Sequence, residues 1–144
     1  MRTVWRVGLG LALLLAPRLT GAQAPQRDQC SFFTTAEVAK LLGTGVEPGE
    51  STGPVPGCQW FGEDEASYVI VQVVDTTHWL DPRQAPAYQS LAGVGREAYS
   101  HRDAEGGWRA MAKTDRAVVA VVLIGGTATQ AAAVTLLRQL VQRM

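Results

Sequence analysis

Ala117-Val118-Val119-Ala120-Val121-Val122-Leu123-Ile124 is apolar at every position. A strand with one wet face alternates apolar and polar residues, so a run this uniform implies cover on both faces. Tyr68 to Val74 is nearly as uniform, interrupted only by Gln72. Two such strands require material on either side of one sheet. The two helices could cover one face; the second could be covered by the 76–92 segment, by a helix on each side, or by a ligand or partner. Exposed apolar patches of that size are unusual on monomers, which makes self-coverage the first expectation and an open face the second.

Working outward, Glu97–Arg102 and Trp108–Lys113 read as two further strands, joined to the apolar run through Thr114-Asp115-Arg116 to form a three-stranded meander. Gly93-Val94-Gly95 makes a turn before it, and Gly125-Gly126 ends the sheet. Thr127 with Gln130 matches a capping box, which predicts a last helix from Ala128 nearly to the end. Ala133, Leu136, Leu137, Leu140, Val141 and Met144 lie on one side of that helix. Upstream, Cys58–Phe61 pairs with the Ser67–Asp75 strand across a Gly62-Glu63-Asp64-Glu65 turn. Thr34 and Glu37 form another capping box, with Phe33 and Val38 in the staple positions and Gly43 as a stop, so a short helix is expected from Thr35 to Leu42. Residues 43–57 hold five Gly and three Pro and read as a loop with room for one short strand. In residues 76–92, Asp81-Pro82 could open a helix, which Pro86 would shorten or kink. The expected fold is α+β, an antiparallel sheet of about five strands with a short N-terminal and a longer C-terminal helix.

The chain starts with a secretory pattern. Arg2 and Arg6 precede the apolar run Val7 to Ala16, and small residues follow at Thr20, Gly21, Ala22 and Ala24. The run is too short to span a bilayer, which takes ~20 residues as a helix. Cleavage after Ala22 is preferred over cleavage after Ala24, because Pro25 would follow the latter bond. The expectation is therefore a signal peptide at 1–22 and one domain at 23–144, periplasmic or secreted, without a stable membrane anchor. Losing Arg2, Arg6 and Arg18 from 13 basic residues leaves 10 against 13 acidic, a net charge of −3. That balance offers no electrostatic basis for nucleic-acid binding.

Cys30 and Cys58 are the only cysteines. In an oxidising compartment an even count points to a disulfide tying the start of the first helix to the first hairpin strand. A redox pair would more often be spaced C-x-x-C, and neither His78 nor His101 has metal-ligand spacing to either cysteine.

The chemistry-bearing residues are few. His78-Trp79-Leu80-Asp81 follows a strand end, where an imidazole and a carboxylate could do acid–base work; His78, Trp79 and Asp81 are the candidate binding residues. No serine lies in G-x-S-x-G or S-x-x-K. Gly93-Val94-Gly95 lacks the third glycine of a nucleotide loop. Glu63-Asp64-Glu65 has adjacent rather than spaced acids, which suits a solvated hairpin tip and not a calcium loop. Trp108, after Gly106-Gly107, should begin a strand and pack inward.

Three segments carry a resemblance. Cys30-Ser31-Phe32-Phe33-Thr34-Thr35-Ala36-Glu37-Val38 leading to Leu41-Leu42-Gly43, then Gly57-Cys58-Gln59-Trp60, then Gly93-Val94-Gly95-Arg96-Glu97-Ala98-Tyr99, resemble a family of uncharacterised bacterial exported proteins. Many of its members are actinobacterial lipoproteins, and the family is classed as a domain of unknown function. The chain departs from that pattern in lacking a lipidation cysteine and in placing Arg96 where an acid is frequent. The resemblance spans about Cys30 to Met144 and implies an exported α+β domain with a Cys–Cys bridge and nothing catalytic.

Together these readings give a small soluble exported binding module with no cofactor and no catalytic activity, whose partner is an unknown protein or an apolar small ligand. The competing class is a small secreted enzyme, hydrolase-like, using the His78–Asp81 loop and His101.

Overall fold

The computed structural model describes residues 28–144, so the signal segment and both cleavage sites lie outside the described residues. The chain is α+β, with seven strands in one antiparallel sheet: β1 (Glu50–Ser51), β2 (Cys58–Phe61), β3 (Tyr68–Val74), β4 (Gln89–Ser90), β5 (Glu97–Arg102), β6 (Trp108–Lys113) and β7 (Val118–Ile124). Their order across the sheet is β1-β2-β3-β7-β6-β5-β4. The five expected strands are present. Two more, β1 in the 43–57 loop that had room for one short strand and the unexpected β4, are two residues each and form the edges. Strands that short carry no periodicity to read.

The sheet is closed in the middle by β3 pairing with β7 along its full length, from Tyr68 opposite Ile124 to Val74 opposite Val118. All seven residues of β7 are buried. Val119, Val121 and Leu123 belong to the main core, while Val118 and Ala120 belong to a second cluster on the opposite face. The main core is capped by two helices, α1 (Thr35–Leu42) and α2 (Gln130–Arg143). Val38 and Leu42 of α1 and Ala133, Leu136, Leu137 and Leu140 of α2 are its buried helical side chains, as the helical spacing predicts. Met144 lies beyond that face and is exposed. Trp108 begins β6 half-buried against the same core, with the Arg102 guanidinium 4.7 Å above its ring.

Helix α1 starts as expected: Thr34 Oγ1 accepts from Glu37 N (3.2 Å), and Glu37 Oε2 accepts from Thr34 N (2.8 Å). The start of α2 is a correction. Its cap is Thr129, whose hydroxyl accepts from Ala132 N (3.1 Å). Thr127 instead shares its hydroxyl hydrogen between the carbonyls of Leu41 and Leu42, 3.0 Å from each, and so closes the last turn of α1. Gln130, freed from the expected box, donates to the buried Ser100 Oγ (2.9 Å) and anchors α2 to β5.

The Cys30–Cys58 disulfide is formed and joins a 3-10 turn at Gln29–Phe32 to β2. Beside it, β3 outruns β2, which pairs only as far as Val71. The unpaired rung beyond is completed by a side chain: Gln29 Nε2 donates to Val73 O and Gln29 Oε1 accepts from Val73 N, both at 2.8 Å.

Candidate functional site

Residues 76–92 do not form the helix that Asp81-Pro82 suggests. They make a 3-10 turn at Thr76–His78, further tight turns, and the short β4. The physical reason is Tyr99, which recruits the segment across the second face of the sheet. Its ring lies 5.2 Å from that of Trp79, 5.5 Å from that of Tyr88 and 5.8 Å from the stacked ring of His101. Its hydroxyl donates to Leu80 O (2.6 Å), with Met111 Sδ in contact at 2.9 Å. Burial pushes the Tyr99 phenol up to about 12. Met111, Val118, Ala120, Val74, Trp79 and Tyr88 complete this second cluster. The second face of β7 is thus covered by the chain itself, by a strap rather than a helix.

The three candidate residues have different roles here. Trp79 is a wall of the aromatic cluster. Asp81 ties the strap internally, accepting from Arg83 Nε (2.7 Å) and from the Tyr88 hydroxyl (3.1 Å); the Arg83 guanidinium, more than Tyr88, holds its carboxyl below the usual range. His78 is exposed, with Nδ1 3.3 Å from Asp75 Oδ1, an oxygen that also accepts from Thr77 N (2.9 Å). The hydrogen bonds to Thr77 hold the Asp75 carboxyl below its ordinary value. His101 directs Nδ1 at the Arg102 carbonyl (2.6 Å), so that nitrogen carries the proton. His78 and His101 therefore have separate partners, and among the described residues no carboxylate is hydrogen-bonded to both. His78 faces a cleft, a hollow of about 380 Å³ at the end of the sheet, shared with Asp75 and Arg116 over a wall of Val73, Val74, Ala117 and Pro56.

A second hollow, on the helix side, had no single-residue signal. It is a groove of about 300 Å³ between α1 and α2, with an apolar floor of Phe33, Val38, Leu41, Ala132 and Leu136. Val38–Leu41 and Ala132–Leu136 are visible as helical ridges in the sequence, but the side-by-side placement of the helices is tertiary. It follows from Thr127 closing α1 and from Arg143 at the end of α2 bonding Glu37 (2.7 Å) at the start of α1. The rim is polar, with Glu37, Lys40, Thr135 and Gln139. The Arg143 hydrogen bond, followed by that from Thr34 N, pulls the Glu37 carboxyl down to about 2. Lys40 makes no ion pair among the described residues.

At the hairpin tip, Asp64 Oδ1 accepts from Ser67 Oγ (2.7 Å), Ser67 N (2.9 Å) and Ala66 N (3.1 Å), which fixes the turn. Gly95 sits at φ +61°, and a Cβ there would lie 2.5 Å from Lys113 O, so the turn before β5 requires glycine. Among the described residues no three His, Cys, Asp or Glu side chains are grouped to hold a metal ion, and no helix is long and apolar enough to cross a membrane. Compared with protein-family models, with curated proteins and with solved structures, the chain matches none.

Proposed function

We propose that the protein is a small exported binding module, soluble in the periplasm or outside the cell, which works without catalysis or a cofactor and holds a small apolar ligand in the groove between α1 and α2. The observation that carries this reading is the groove itself. Its volume of about 300 Å³ is at the small end of ligand sites, ~300–1,000 Å³, and its make-up of apolar floor and sparse polar rim is what such sites share. That size suits a short acyl or similar chain better than a partner's helix. Each buried CH₂ would contribute about 0.8 kcal/mol. Lys40 at the rim, without an ion-pair partner among the described residues, favours a ligand with an anionic end. Export is supported by the N-terminal pattern of the sequence and by a disulfide that needs an oxidising compartment to persist. The three family-like segments fit the same reading, and kinship with that exported family is part of the proposal.

The test uses a dye that fluoresces in apolar sites, with decanoate as competitor. The expected result is dye binding that decanoate displaces, with a rise in melting temperature. Ala132→Phe, which fills the groove from a half-exposed position, should abolish both while the protein stays folded. Lys40→Gln should weaken decanoate but not decanol. Unchanged dye binding in Ala132→Phe would overturn the assignment. His78→Ala should leave groove binding intact; a hydrolytic activity lost in that variant would establish the competing enzyme class instead.

A further inference from the structure

From the sheet-end cleft we infer a second binding site, independent of the groove, that takes a free α-amino acid with an aliphatic side chain. The argument rests on which charges are already spent. In the turn between β6 and β7, Thr114 Oγ1 accepts from Ala117 N (3.0 Å) and Arg116 N (3.3 Å), which fixes the backbone carrying Arg116. Its neighbour Asp115 is consumed by Arg96. The Arg116 guanidinium has no carboxylate partner among the described residues, yet it lines the cleft. Asp75, which lines the same cleft, uses Oδ1 for Thr77 and His78, while its Oδ2 accepts no hydrogen bond among the described residues. Arg116 and Asp75 are not paired with each other.

A cleft with one unspent cation and one unspent carboxylate oxygen selects by elimination. A simple anion meets Arg116 but is opposed by Asp75. A simple cation meets Asp75 but is opposed by Arg116. A zwitterion satisfies both. Its carboxylate takes the guanidinium, a pairing that can be bidentate, and its ammonium donates to Asp75 Oδ2. His78 directs its Nδ1–H at the acceptor-only Asp75 carboxylate, which leaves Nε2 of the neutral ring as a further acceptor for the ligand ammonium. Val73, Val74, Ala117 and Pro56 offer an apolar wall to the side chain, and about 380 Å³ is room for a single small molecule.

The experiment titrates L-leucine into the full exported protein and follows backbone amide shifts. Shifts confined to Asp75, His78, Arg116 and Ala117 are expected. 4-Methylpentanoate, which lacks the ammonium, and isopentylamine, which lacks the carboxylate, should each bind roughly tenfold or more weakly, as should leucine to Arg116→Gln and Asp75→Asn. Asn at position 75 keeps the side-chain oxygen that caps the turn, so that variant stays folded, and its unchanged shifts elsewhere would show it. Ala132→Phe should bind leucine normally, which separates this site from the groove. The absence of shifts with leucine, leucine binding undiminished in Asp75→Asn, or 4-methylpentanoate binding as tightly as leucine would each overturn the amino-acid assignment.

Discussion

Glu37 joins three things at one carboxylate: the start of α1 through Thr34, the end of α2 through Arg143, and the rim of the groove. Its carboxyl falls from the ordinary 4.5 to about 2, chiefly through Arg143. A carboxyl lowered in the folded state contributes stability in full above about pH 4.5 and loses it as pH falls through about 2. Glu37→Gln keeps the capping geometry and removes the charge. Urea midpoints measured from pH 5 downward should therefore decline less steeply in Glu37→Gln than in the parent between about pH 4.5 and 2. The pair is partly exposed, so the difference will be modest; parallel declines would mean that the ion pair contributes nothing. The Thr34–Glu37 half of this arrangement was legible because it is local, three residues apart. Arg143 comes from 106 residues away and left no trace in the pattern. Thr127 shows the same limit. Its neighbourhood reads as an N-cap, but its hydroxyl is claimed by the end of a helix 85 residues upstream.

At the scale of elements, the five long strands and both helices were legible because period and caps are properties of contiguous residues. The strap was not. Residues 76–92 mix Pro, Asp and aromatics without period, and their conformation is dictated by Tyr99, which comes later in the chain. The buried Tyr99 hydroxyl has one strong acceptor, Leu80 O. Tyr99→Phe should cost about 0.5–1.5 kcal/mol, the net worth of a typical hydrogen bond, since Leu80 is exposed and water can reach it. More telling is where the loss is felt. Amide exchange at Trp79, Ala85 and Tyr88, whose N–H groups close the strap's turns, should quicken, while that of β3 and β7 should change only with global stability. Uniform acceleration across the sheet would show that the strap and the sheet unfold as one unit. The candidate residues His78, Trp79 and Asp81 were found as a cluster in sequence. The strap separates them: Trp79 packs in the aromatic cluster, Asp81 ties the strap, and His78 lines the sheet-end cleft.

At the scale of the molecule, the sheet is assembled from an N-terminal hairpin and a C-terminal meander that meet where β3 pairs with β7. The uniform apolar run foretold cover on both faces, with the 76–92 segment, a helix on each side or a partner as candidates for the second, and Trp79 and Tyr88 of the 76–92 segment supply it. The disulfide pins the N-terminal side of this assembly, joining Cys30 and Cys58 across a sequence separation of 28. In the chain-entropy account a loop of that length stabilises by about 3.5 kcal/mol. Cys58→Ser should lower the urea-derived stability by roughly that amount under oxidising conditions, and a loss well below 1 kcal/mol would show that the unfolded chain is already constrained there. The bridge also holds Gln29 in place, one residue before Cys30, with its amide standing in for a missing strand on β3. An uncovered rung of that kind is where another molecule's backbone can add and where fibrils are seeded. Gln29 covers that rung in the folded chain, so reduction of the bridge is expected to loosen the amide and open the Val73 edge to a second copy, which light scattering of the reduced protein would read as added self-association.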